Sequence, residues 1–106
     1  MQGFAVTYEI VTEESSREGD VAERGFLGHD MTFRDAITLF NDERDWTHVE
    51  ADCYPMYPDR SPRWFTDYGE SNWGNSQRSV SLHLPDGISG HSAMRIARLV
   101  NCYRSK

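Results

Sequence analysis

The sequence predicts an α+β domain: a mainly antiparallel sheet of about four strands with two helices packed on one face, in the order β-α-β-β-β-α. Three observations carry this. Phe4, Val6, Tyr8 and Ile10 recur at the two-residue period of a half-buried strand, and Val80, Leu82 and Leu84 do the same later in the chain. Phe33, Ala36, Ile37 and Phe40 recur at helical spacing, as do Ile96, Leu99, Val100 and Tyr103. At 106 residues the chain suffices for one domain around a single small core, and residues 1–106 are read as that domain.

The first strand spans the alternation around Phe4 to Ile10. From Glu13 to Gly28 periodicity disappears, and Ser15, Ser16, Gly19, Gly25 and Gly28 mixed with acids predict a loop or a short polar turn of helix. Residues 13–30 and 55–62 are the expected mobile stretches. Thr32 and Asp35 form a weak capping box that opens a helix over about 32–42, ending near Asn41. Trp46 to Tyr54 is read as a second strand, with Trp46, His48, Glu50 and Asp52 on one side and Val49, Ala51 and Cys53 on the other. Pro55, Pro58 and Pro62 break regular structure, and a short aromatic strand follows over Arg63 to Tyr68. Gly69 to Ser76 forms turns, and the Val80 strand stops at Pro85-Asp86-Gly87. Ser89 or Ser92 caps the last helix, whose other positions carry Arg95, Arg98 and Arg104.

Charge is distributed by position. Residues 1–50 hold twelve of the seventeen acids and four of the eleven basic residues, which gives about −8 there and about +2 in the remainder. The acids are densest from Glu9 through Glu13, Glu14, Glu18 and Asp20 to Glu23. Such a stripe either solubilises a loop or presents an array of negative charge comparable to a nucleic-acid backbone, drawing in a basic groove. A second cluster, Tyr54, Tyr57, Trp64, Phe65, Tyr68 and Trp73, sits with Arg60 and Arg63. Trp64, Phe65 and Tyr68 are expected to fill the core, and Tyr57 and Trp73 to anchor a partner at the surface. The candidate partner-binding residues are thus Glu13, Glu14, Glu18, Asp20, Glu23, Tyr57 and Trp73.

Chemistry-bearing motifs are sparse. The chain has no GxSxG elbow, HExxH, paired CxxC or glycine-rich phosphate loop with a following Lys. Spacing leaves open Cys53 with His48, or Cys102 with His91 or His83, as a nucleophile and base pair. His48-x-Glu50-x-Asp52 is the best metal trio, and on an antiparallel strand it equally reads as a solvated polar face. His29-Asp30 is a weaker pair of the same type. No catalytic residue, metal or cofactor is expected. Cys53 and Cys102 are read as thiols near the core. The polar start Met1-Gln2-Gly3 lacks a secretion signal, and no apolar run reaches membrane-spanning length. A cytoplasmic protein is expected.

Tyr8-Glu9-Ile10-Val11-Thr12-Glu13-Glu14-Ser15-Ser16, followed by Gly19-Asp20-Val21-Ala22-Glu23-Arg24-Gly25, resembles the opening of small proteins encoded by bacteriophages, prophages and plasmids. Arg63-Trp64-Phe65-Thr66-Asp67 and Ser81-Leu82-His83-Leu84 look like the same group, and together these segments cover about a third of the chain. The resemblance implies a mobile-element origin and, from the habits of such proteins, an inhibitor of host defence such as an anti-CRISPR protein. The leading expectation is a non-enzymatic inhibitor that binds a basic surface on a host protein or ribonucleoprotein and blocks DNA access or assembly. The alternative is a nucleic-acid-binding accessory protein using the basic last helix and the aromatic loop, against an overall charge of −6 that opposes phosphate. A small enzyme or metal protein centred on His48, Glu50 and Asp52 is the third.

Overall fold

A computed structural model describes residues 3–44, 49–52, 62–67, 72–73 and 76–104. The expected α+β class and mainly antiparallel sheet are present. The elements are β1 (Phe4–Thr12), α1 (Glu13–Arg17), β2 (Glu23–Met31), α2 (Phe33–Glu43), β3 (Val49–Asp52), β4 (Trp64–Asp67), β5 (Asn72–Trp73), β6 (Ser76–His83) and α3 (Gly90–Arg104). All strand pairs are antiparallel, the order across the sheet is β2-β1-β6-β4-β3, and β5 adds to β6.

The row Val6–Leu82–Phe65 runs across three strands, since Leu82 is paired with both Val6 and Phe65. Its side chains share one face of the sheet and are fully buried or within 1% of it. Phe40, Ala36 and Ile37 of α2 and Ala93, Ile96 and Val100 of α3 join them in one cluster, so both long helices cover the same face. Thr32 caps α2 by accepting the Asp35 N–H at 3.2 Å, and Ser89 caps α3 by accepting the Ser92 N–H at 3.1 Å. Two arginines tie the helices down. Arg44, 4% exposed at the end of α2, sets its guanidinium 5.3 Å from the Phe40 ring centre, and its Nη1 donates to the Val100 carbonyl of α3 at 3.5 Å. Arg78 of β6 donates to the Glu43 carboxylate at 3.1 Å and to the Glu43 carbonyl at 3.4 Å, neutralising the negative end of the α2 dipole.

The stretch expected to be a mobile loop is ordered. Glu13–Arg17 does form a short helical turn, but Glu23–Met31 is a nine-residue strand paired with β1. Alternation is missing from its sequence because glycines occupy inward positions that neighbours already fill. A Cβ on Gly25 would stand 3.0 Å from the Tyr8 ring, and one on Gly28 would stand 2.6 Å from Met31 Sδ. Two register irregularities against β1 and the left-handed conformation of Asp30 (φ 51°) remove what periodicity remains. Helix α2 runs two residues beyond the expected end, to Glu43. In the Trp46 to Tyr54 segment, Val49–Asp52 is a strand, and Trp46, His48, Cys53 and Tyr54 lie outside the described residues. The 55–61 part of the second expected mobile stretch also lies outside them. Trp64 departs from the expected core position: the register sets it opposite His83, and the two rings stack with centres 6.4 Å apart on the face away from the helices.

Phe40→Ala, which removes a fully buried ring between sheet and helices, is expected to cost about 3–5 kcal/mol. The urea midpoint followed by circular dichroism measures this.

Candidate functional site

The acidic segment is built as a hydrogen-bonded cap on one end of the β1–β2 hairpin. Thr12 and Ser15 satisfy one another reciprocally: Thr12 Oγ1 accepts the Ser15 N–H at 3.0 Å, and Ser15 Oγ accepts the Thr12 N–H at 2.8 Å. The other end of α1 closes with the Asp20 N–H on the Ser15 carbonyl at 3.0 Å and the Gly19 N–H on the Ser16 carbonyl at 3.1 Å. This closure needs a left-handed residue after the helix, and Gly19 supplies it at φ 73°. The Ala22 N–H then donates to the Ile10 carbonyl at 2.8 Å and returns the chain to the sheet.

Five candidate carboxylates, Glu13, Glu14, Glu18, Asp20 and Glu23, are exposed on this cap. Three have partners. Glu13 pairs with Arg17 at 2.8 Å and Asp20 with Arg24 at 3.8 Å, both between side chains more than half exposed. Such pairs contribute about 0–1 kcal/mol and yield readily to a competing cation. Glu23 accepts the Tyr8 hydroxyl at 2.6 Å, and this bond raises the Tyr8 pKa and keeps the phenol protonated. The Arg78 guanidinium lies 5.7 Å from the centre of the Tyr8 ring, so Glu23, Tyr8, Arg78 and Glu43 link β2, β1, β6 and α2 in one polar chain. Tyr57 lies outside the described residues. Trp73 is placed in β5 opposite Ser76, and Ser76 is opposite Thr12, so the register brings Trp73 to the same end of the sheet as the acidic cap.

Other residues fall elsewhere. Arg95 and Arg98 are exposed on α3, away from the acidic cap. Nδ1 of His29 and Oδ2 of Asp30 stand 3.0 Å apart at the exposed end of β2. Among the described residues no group of three or more His, Cys, Asp or Glu is placed to hold a metal, and no helix is long and apolar enough to cross a membrane. His48 is outside that description, so the His48, Glu50 and Asp52 trio is not assembled by it.

His83 takes a place that its spacing to Cys102 does not suggest. It stands on the sheet face opposite the helices, its Nε2 2.8 Å from the Thr7 hydroxyl oxygen and Trp64 stacked on its ring. Burial pushes its pKa below the ordinary 6.5, and Glu9 works weakly the other way. With Phe26, whose side of β2 leaves it 61% exposed, His83, Thr7, Glu9 and Arg24 line a shallow hollow of about 250 Å³. Alternation within each strand puts Thr7 with Glu9 and Ser81 with His83, but only the β1–β6 pairing brings the two pairs onto one face, and the exposure of Phe26 depends on β2.

Comparison with known proteins gives no match: no family model fits the sequence, and no curated protein or solved structure matches it.

Because the folded state resists protonating His83 while the unfolded chain protonates near pH 6.5, its contribution to stability is complete above about pH 6.5 and is lost as pH falls through the lower folded pKa. His83→Gln is expected to flatten the fall in urea midpoint between about pH 7.5 and about pH 5.5. An unchanged slope would show that other groups govern the acid response.

Proposed function

We propose that the protein is a non-enzymatic inhibitor that docks its acidic hairpin cap onto a basic surface of a host nucleic-acid-handling complex, a CRISPR effector foremost, and blocks DNA access or assembly. The observation that carries this reading is the ordered cap itself. Five exposed carboxylates stand on and just after a short helix closed at both ends by its own hydrogen bonds: Glu13 and Glu14 in the helix, Glu18 at its C-cap, Asp20 in the turn and Glu23 opening β2. Among the described residues the arginines paired with them, Arg17 and Arg24, are held in exposed, exchangeable ion pairs. A pre-organised charge array loses little conformational freedom on binding, whereas a solvating loop of the same composition would have to be ordered first. Its field would supply encounter rate and orientation. Durable affinity would come from apolar and aromatic neighbours, for which Trp73 at the same end of the sheet and Tyr57 are the candidates. The mobile-element resemblance of the Glu13–Asp20 segment favours a defence complex as the target class.

The test is affinity capture from a bacterial lysate that expresses CRISPR and restriction systems. The native chain is expected to retain a nucleic-acid-handling complex that DNA displaces and that elutes as salt rises past the range in which exposed charges are screened. Replacing Glu13, Glu14, Glu18 and Glu23 with Gln and Asp20 with Asn is expected to abolish retention without altering the circular dichroism spectrum or the urea midpoint materially. Undiminished retention by that folded variant would refute the acidic-cap mechanism.

A further inference from the structure

A groove of about 370 Å³ opens between β1, the start of α2 and α3, lined by Phe4, Phe33, Ser92, Arg95, Ile96 and Leu99. It lies away from the acidic cap, and its volume falls in the range of roughly 300–1,000 Å³ typical of small-molecule sites. Its floor is apolar. The rings of Phe4 and Phe33 meet at 5.4 Å and 55°, and Ile96 belongs to the buried core beneath. Its rim is cationic in a protein of net charge −6. Arg95 is exposed and makes no ion pair among the described residues, and it stands one helical turn after Ser92 on the same side of α3.

Ser92 is prepared to donate. Its hydroxyl oxygen accepts from the Ser89 hydroxyl at 3.0 Å, and Ser89 Oγ in turn accepts the Ser92 N–H at 3.1 Å. The carbonyl one turn back that a helical serine ordinarily uses, that of Ile88, already accepts from Arg63 Nη1 at 3.3 Å. Ser92 Oγ makes no donor bond among the described residues and lines the groove, so its O–H proton is free to turn to a ligand there, at the positive end of the α3 dipole. A guanidinium and a hydroxyl donor converging over an apolar floor match a carboxylate that carries a hydrocarbon tail.

We propose that this groove binds a small apolar carboxylate, with its tail on Phe4, Phe33, Ile96 and Leu99 and its carboxylate on Arg95 and Ser92. Charge complementarity selects an anion, and the apolar lining selects a chain or ring over a polar metabolite. The site is independent of the acidic cap and of any inhibitory role.

Decanoate, kept below its micelle concentration, is the probe, titrated into the ¹⁵N-labelled full chain. Saturable amide shifts confined to the neighbourhood of Phe4, Phe33, Ser92, Arg95 and Leu99 are expected. Decanol, with a similar tail and no charge, is expected to bind roughly tenfold more weakly or worse, and Arg95→Gln to weaken decanoate by a similar factor while leaving decanol unchanged. Arg95 is exposed, so that variant should fold, and its unchanged spectrum away from the groove verifies this. Equal binding of decanol and decanoate, an undiminished response in Arg95→Gln, or shifts that are absent or scattered would each overturn the proposal. So would an acidic amphipathic helical peptide that shifts these amides where decanoate does not, because it would assign the groove to a protein segment.

Discussion

Everything in this molecule depends on covering one face of one sheet. The row Val6–Leu82–Phe65 excludes water only because α2 and α3 lie across it, with Phe40 and Val100 completing a cluster drawn from both helices and three strands. A small domain has little apolar area to spare, so burial concentrated in a few large side chains has to be accompanied by polar groups that fix the helices in register. Arg44 and Arg78 serve that purpose from opposite directions. One carries the end of α2 to α3 while its stem and guanidinium pack on Phe40, and the other holds the last turn of α2 to the central strand. The second face is organised differently. Hydroxyls and rings form short cross-strand contacts there, Thr7 to His83, Thr66 to Ser81 at 2.8 Å and Trp64 to His83, and the face supplies side-chain chemistry that the core cannot.

What was legible in the sequence follows from which physical signal dominated each segment. Phe4 and Val6, Phe33–Phe40, Val80–Leu84, and Ile96 with Val100 each put an apolar stripe in or against the core, so their periods survive in the residues. Strand β2 was missed because its inward positions are partly empty: Tyr8, Met31 and Leu39 cover Gly25 and Gly28, and a strand packed by its neighbours' side chains leaves no alternation of its own. The punctuation around α1 was available, since Thr12 and Ser15 are spaced for reciprocal capping and Gly19 is suited to end a helix. Its density of acids and missing periodicity left a loop and a short polar turn of helix as equal readings, and the structure has the second.

The candidate sites divide along the same line. The acidic residues were visible as composition, and the structure adds that one cap carries them and that Trp73 enters at the same end of the sheet. The groove under Arg95 was invisible because Phe4, Phe33 and Leu99 come from three separate elements, each of which reads as ordinary core. Only tertiary placement shows that their outer edges meet beside a cation. His83 is intermediate: its face was predictable from alternation, but its depressed basicity depends on how deeply it is buried.

The irregular course of β2 has a colloidal consequence. This strand forms one margin of the sheet, where a straight, apolar segment would offer its open peptide groups to any passing extended chain. Two register shifts and a left-handed Asp30 interrupt its regular pairing, and the exposed charges of Glu23, Arg24 and Asp30 stand at its two ends. The features that erased its periodicity also make it a poor template, so growth of the sheet into a fibril is opposed at the boundary where it would begin.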